Sequence, residues 1–190
     1  RPTQARGDAT AYIEKHGTEY DRVVCSGGDG TLDEVVKGMY RANAFFPIGY
    51  IPMGSTNDFA GSMGIPVNAM KAARHAVYGS VVKCDMGTFN DSPFVYVAAF
   101  GLWTEVSYAT DQRYKNRLGH MAYVLEGIKR IPGLRAHHMR IEYNGMTVED
   151  EFLFGMITNS TSVGGFKKLT GKYVELNDGL LEVTLFRKPK

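Results

Sequence analysis

The sequence predicts an α/β domain followed by a mostly β domain. Three observations carry this. Apolar strand-like runs and amphipathic helix-like runs alternate over the first eighty residues, two of the strand-like runs empty into polar turns that contain glycine, and from about Ser80 the rhythm changes to strands. Alternation of that kind implies a parallel sheet covered by helices.

Taken in order, Asp8 can cap a helix over Ala9 to Lys15 that Gly17 terminates, and Tyr20 to Cys25 reads as a buried strand. Leu32, Val35, Val36 and Met39 recur at helical spacing, and Pro47 to Ile51 forms a second short strand. Asn68 opens a helix through Ala69, Ala72, Ala73, Ala76 and Val77 that ends at Gly79. Then come Val81 to Cys84 as a strand, Asn90-Asp91 as a turn, and Phe94 to Phe100 as a strand. One helix, with Leu118, Met121, Ala122, Leu125 and Ile128 on a face, interrupts the β half. Met139 to Tyr143 turns at Asn144-Gly145 into Met146 to Glu149 and on to Phe152 to Ile157, and Leu180 to Phe186 forms a last strand. A boundary near residues 80 to 85 divides the chain into domains of residues 1–82 and 83–190.

Composition bounds the function without naming it. The 190 residues are 44% hydrophobic and 22% charged, typical of a soluble globular protein, and a net charge of +2 is too small to argue for nucleic acid by itself, so no nucleic acid partner is expected. Cys25 and Cys84 lack metal-ligand spacing and lie in apolar runs, so free buried thiols are expected. The opening Arg1 to Arg6 does not resemble a signal peptide, and no apolar run approaches the roughly 20 residues that span a bilayer.

Chemistry concentrates in the two turns. The first, Gly27-Gly28-Asp29-Gly30-Thr31, leaves a strand and opens a helix. Its glycines are expected to take positive φ and bring N–H groups against a polyphosphate, with the helix start adding partial positive charge. Asp29 is placed to act on magnesium, a hydroxyl or a reacting proton. The second, Gly54-Ser55-Thr56-Asn57-Asp58, offers a close backbone approach, two hydroxyls, an amide and a carboxylate. Turns at the carboxyl ends of neighbouring parallel strands face each other across the crevice where open α/β sheets bind ligands.

Together these strings resemble the diacylglycerol kinase catalytic domain family, in its bacterial soluble branch, which is also similar to sphingosine kinases. Gly27 to Thr31 matches the Gly-Gly-Asp-Gly-Thr string and Pro52 to Ala60 the Pro-x-Gly-Thr-x-Asn-Asp-Phe-Ala string. Gly64-Ile65-Pro66, Asp85-Met86-Gly87, Ala99-Phe100-Gly101, Gly164-Gly165 and Asn177 to Leu181 follow in the family's order. The resemblance implies a nucleotide-binding α/β domain, NAD kinase- and phosphofructokinase-like, then a mostly antiparallel β-sandwich domain with the active site between them.

It implies ATP and Mg2+ as cofactors and a kinase acting on diacylglycerol or a related lipid at a membrane surface. The protein would be cytoplasmic and transiently peripheral, and an exposed strand edge could pair two copies. Thr3, Gly27, Gly28, Asp29, Gly30, Thr31, Glu34 and Ser55 would line the nucleotide site, with Asn57 and Asp58 close by and Asp29 as the candidate catalytic residue. An NAD kinase-like enzyme and a non-catalytic nucleotide- or lipid-binding domain are the alternatives. The family's C-terminal Asp-Gly-Glu base and its first strand do not occur in these residues. A chain cut at both ends is the expectation, the alternative being a protein without turnover.

Two positions depart from the family. Asp33 replaces the usual asparagine and would need magnesium or a basic neighbour near phosphates, while Ser55 replaces threonine and keeps the hydroxyl. The segment Glu175 to Leu180 resembles a loop that holds a structural magnesium through the Asp178 carboxylate and main-chain oxygens of Glu175 and Leu180. An Asn-Asp-Gly turn is the equal alternative. His137-His138, on opposite faces of a strand, do not form a metal pair. Arg113, Lys115, Asn116, Arg117, His120, Lys129 and Arg130 form either a solvated helix face or a surface for anionic lipid. Phe45, Phe46 and Trp103 are assigned to core packing, with apolar contact to lipid as the alternative.

Overall fold

The computed structural model describes residues 1–101, 135–167, 170–171 and 173–188. The expected helix around Leu118 to Ile128, the basic cluster and Trp103 lie outside them. The described chain packs as two compact units, Arg1–Ala98 with Ile157–Glu182, and Ala99–Met156 with Val183–Lys190.

In the first unit, strands β1 (Val23–Gly27) and β2 (Ile48–Pro52) pair in parallel, with Val23 opposite Ile48 and Gly27 opposite Pro52. Helix α2 (Asp29–Ala42) connects them and buries Leu32, Val35, Val36 and Met39, the periodic positions of the sequence. Helix α1 (Asp8–His16) lies on α2 where Gly38 leaves room: a Cβ there would stand 2.6 Å from the Ile13 Cβ. Helices α3 (Asp58–Ser62) and α4 (Ala69–Tyr78) follow β2, and the Asn68 side chain caps α4 by accepting from the Lys71 N–H. Ile13, Cys25, Leu32, Val35, Tyr50, Phe59 and Val95 belong to one apolar cluster. Two short antiparallel pairs complete the unit, β3 (Gly87–Phe89) with β4 (Ser92–Phe94), and β8 (Ser162–Val163) with β9 (Phe166–Lys167).

The second unit is built on a four-stranded sheet. Its strands are β5 (Val97–Gly101), β6 (His137–Tyr143), β7 (Met146–Thr158) and β10 (Glu182–Arg187), in the order β10-β7-β5 with β6 also on β7. β6 and β7 form an antiparallel hairpin at Asn144-Gly145, both at positive φ as a type I′ turn requires. This sheet is what the described residues show of the expected sandwich. Among the described residues, no helix is long and apolar enough to cross a membrane.

Several expectations need correction. Asp8 begins α1 rather than capping it: Gly7, at φ 86°, is the cap residue, and the Asp8 carboxylate accepts from Arg1 and the Gln4 N–H. Val81 to Cys84 forms no strand, since its residues run beside a cavity of about 970 Å³ instead of joining a ladder. The Phe94 to Phe100 run is interrupted at Val95-Tyr96, whereas Met146 to Thr158 is one continuous strand. Phe46 packs on the core, but Phe45 is 64% exposed. Both cysteines are free, Cys25 buried and Cys84 half-buried.

Candidate nucleotide site

Because Gly27 and Pro52 are register partners, the turns that follow β1 and β2 start side by side. The Met53 N–H donates to the Gly27 carbonyl at 2.8 Å, and the Tyr50 hydroxyl donates to the same oxygen at 3.2 Å. Asn57, at φ 55°, folds its side chain back on Gly54, accepting from the Gly54 N–H at 2.8 Å and donating to its carbonyl at 2.7 Å. That double bond closes the second turn and leaves Ser55 and Thr56 exposed.

The glycines do something other than expected. Gly27, Gly28 and Gly30 are absent from the positive-φ residues, and Gly28 sits at φ −89°, open to any side chain on conformational grounds. At two of them contact opposes a side chain: a Cβ on Gly28 would lie 3.2 Å from the Gly54 Cα, and one on Gly27 would lie 2.5 Å from the Thr31 hydroxyl oxygen, whereas Gly30 faces open space.

Asp29 ties the two turns together. It is the first residue of α2, yet its carboxylate accepts from the first N–H groups of α3, Asp58 at 3.0 Å and Phe59 at 3.2 Å. It therefore satisfies two donors that a helix start leaves without intrahelical acceptors. Burial pushes the carboxyl up from its ordinary value and the charge of Asp58 adds to this, while the two N–H bonds pull it down. Asp58 itself is 5% exposed, held by the Tyr96 hydroxyl at 2.7 Å, the Ser162 hydroxyl at 2.6 Å and the Gly165 N–H. Burial and the bond to Asp58 drive the Tyr96 phenol upward, keeping it a donor.

The remaining candidates lie around this knot. Glu34 accepts from the Gly7 N–H at 2.9 Å, which fixes the arm that carries Thr3. Thr3 is exposed, and its arm is anchored through Arg1 and Gln4 to Asp8. Asp33 has the basic neighbour it needs, because Lys37 one helical turn on pairs with it at 2.7 Å. Helix periodicity could have found Lys37; Tyr96 and Ser162 carried no local signal.

In the loop Glu175 to Leu180, the Asp178 carboxylate accepts from the Leu180 N–H at 2.9 Å, an Asx turn, and Asp85 accepts from the Gly179 N–H at 2.7 Å. Among the described residues, no group of three His, Cys, Asp or Glu gathers as a metal cluster. The donors nevertheless fit magnesium: they are all hard oxygens, and Glu182 Oε2 nearby is buried without a partner. Burial pushes the Glu182 carboxyl up and the Asp178 charge adds to this, against the pull of a main-chain hydrogen bond.

With this geometry in place, comparison with known proteins shows what the chain resembles. Residues 1–89 match the family model described as diacylglycerol kinase catalytic domain. Over nearly its whole length the chain is similar to curated relatives. This chain is similar to the diacylglycerol kinase catalytic domain family. It is 38% identical to the diacylglycerol kinase of Bacillus subtilis (strain 168), over 98% of this chain and 62% of that protein. It is 36% identical to that of Staphylococcus carnosus (strain TM300), over 98% of this chain and 61% of that protein. The crystal structure of a diacylglycerol kinase from Bacillus anthracis str. Sterne matches with a TM-score of 0.76 at 28% identity, covering 97% of this chain and 60% of that one. A second solved structure from that organism gives 0.79 at 30% identity, over 96% and 60%. The chain spans about three fifths of the length of the curated relatives it matches.

Proposed function

We propose that the intact protein is a lipid kinase that transfers the γ-phosphoryl group of ATP to the free hydroxyl of diacylglycerol, giving phosphatidic acid. The observation that carries this reading is the locked pair of turns, in which Gly28 meets Gly54 and Asp29 holds the start of α3, within a chain similar to that family. ATP phosphates would lie along Gly27 to Thr31 and Ser55, with Thr3 and Glu34 at the nucleotide's edge and Asn57 and Asp58 shaping the second turn. At the start of α2 the Thr31 and Leu32 N–H groups donate to the Gly28 carbonyl at 3.0 and 3.2 Å, so the Asp29 and Gly30 N–H groups are the ones that would face phosphoryl oxygens. Bound magnesium supplies charge neutralisation on the phosphates. Lys37 keeps the Asp33 carboxylate balanced, so that it does not repel the nucleotide.

Glu175, Asp178 and Leu180 would hold a second, structural magnesium. Residues 1–82 form the nucleotide part and 83–190 the lipid part in this proposal. Diacylglycerol would be reached by transient contact with a membrane surface, and an exposed sheet edge offers a way for two copies to pair. One observation favours a second reading, a nucleotide- or lipid-binding protein without turnover: both carboxylate oxygens of Asp29 already accept main-chain N–H groups.

The deciding experiment follows γ-phosphate label in the intact protein, with diacylglycerol micelles, sphingosine and NAD as competing acceptors. Label in phosphatidic acid that Asp29→Asn abolishes is the expected result. Label in NADP overturns it, and ATP binding with no labelled product establishes the binding protein instead.

A further inference from the structure

The apolar ladder expected through Phe94 to Phe100 breaks at Tyr96, and the break has a use. Tyr96 turns its hydroxyl to Asp58, donating to Oδ2 at 2.7 Å, and accepts the Gly164 N–H at 3.0 Å. Its carbonyl accepts the Asn159 N–H at 3.0 Å, which fixes the backbone at the break. Ser162 donates to Asp58 Oδ1 at 2.6 Å, and the Gly165 N–H reaches both oxygens at 3.2 and 3.0 Å. Among the described residues, no lysine, arginine or histidine forms an ion pair with Asp58. This buried carboxylate is satisfied by neutral dipoles alone, so each of them matters.

The chain of contacts runs on to the reacting centre. Asp58 is the first residue of α3, and its own N–H and that of Phe59 are the donors that fix Asp29. On the far side, Gly164 and Gly165 sit at φ 61° and 81°, a conformation that returns to solvent-driven freedom once its anchoring bonds are lost. Gly165 also lies beside the second turn: a Cβ there would be 3.7 Å from the Thr56 methyl.

We propose that Tyr96 is a positioning residue: by bridging Asp58 and Gly164 it clamps the Gly164-Gly165 turn onto the start of α3 and so holds Asp29 in place. Ser162 is the second jaw of the same clamp. The inference rests on the kinase reading in one respect, that Asp29 acts on phosphoryl transfer.

The test uses the intact protein and Tyr96→Phe, which deletes the hydroxyl and keeps the ring. Two readouts are taken: steady-state phosphorylation of diacylglycerol, and hydrogen exchange at the Asp58 and Phe59 amides. The expected result is a kcat lower by about tenfold with the KM for ATP within about twofold, since geometry is lost while nucleotide contacts stay. Exchange at the Asp58 and Phe59 amides is expected to quicken by about tenfold, with α4 unaffected. Unchanged exchange at those two amides overturns the clamp whatever the turnover. Faster exchange with unchanged kcat overturns its catalytic relevance. If the unmodified protein transfers no phosphate to lipid, the kinase reading falls by itself, and faster exchange still supports the clamp. Should Tyr96→Phe not fold, Ser162→Ala removes one donor to Asp58 and is judged by the same two readings.

Discussion

Gly28 and Gly54 meet backbone to backbone: a Cβ built on Gly54 would stand 2.6 Å from the Gly28 Cα and 2.8 Å from Asn57 Oδ1. The reverse substitution is milder, with a Gly28 Cβ 3.2 Å from the Gly54 Cα. Backbone cannot swing aside as a side chain does, so Gly54→Ala is expected to destabilise by about 1–3 kcal/mol, and Gly28→Ala by less. Urea denaturation of the two variants checks the order. Equal costs would mean that the turns can slide apart.

Burial raises the Asp29 carboxyl above its unfolded value of 3.8, despite the opposing N–H bonds. A carboxyl raised on folding favours the folded state while protonated, and that contribution disappears as pH rises from near 3.8 through the higher folded value. Relative to Asp29→Asn, which does not titrate, the unmodified protein should therefore lose stability between pH 4 and pH 7. Denaturant midpoints of both proteins at the two pH values measure this. A relative gain would mean that the bonds from Asp58 and Phe59 outweigh burial.

Burial pushes the thiol of Cys25 up to about 11, and that of Cys84, also mainly by burial, to about 11. From a reference of 9.0, the reactive thiolate fraction near neutrality falls about a hundredfold at each. Alkylation by iodoacetamide at pH 7.5 should be correspondingly slow in the folded protein and fast in denaturant. Rapid labelling of Cys84 in the folded protein would contradict the buried setting given to its sulfur.

The half-buried Asp33–Lys37 pair on α2 contributes about 0.3–0.5 kcal/mol to stability. Its larger expected effect is on nucleotide. Lys37→Gln should weaken ATP binding severalfold at low salt and Asp33→Asn should strengthen it, with both differences shrinking as salt screens them. Calorimetric titration of ATP at two salt concentrations tests both signs.

Local pattern made much of the first unit legible. The i, i+3, i+4 spacing of Leu32, Val35, Val36 and Met39 marked the buried stripe of α2, and Asn144-Gly145 marked the hairpin. Asp29, Asn57 and Asp58 stood out because the two turns carry unusual strings of residues. Their partners did not. Tyr96 and Ser162 reach Asp58 across 38 and 104 positions of sequence, and no periodicity reports such a distance. Val81 to Cys84 misled for a related reason: β propensity describes a surface that fits a ladder, and no neighbouring strand is offered to these residues. Positive φ in the first glycine string was the wrong inference from the right residues, since lack of a Cβ serves approach there, not conformation.

The clamp on Asp58 also orders events during synthesis. Residues that hold this carboxylate, Ser162 and Gly165, belong to a stretch separated from Asp58 by the whole of Ala99–Met156. A ribosome making this chain exposes α3 and the glycine turns well before it delivers those donors. Until then Asp58 has the Tyr96 hydroxyl but not the Ser162 and Gly165 donors, and the nascent first unit holds its apolar cluster with its polar lock half made. Closing so long a loop is slow relative to forming the local helices, so the start of α3 should be fixed late on the ribosome, after Gly165 has left the exit tunnel.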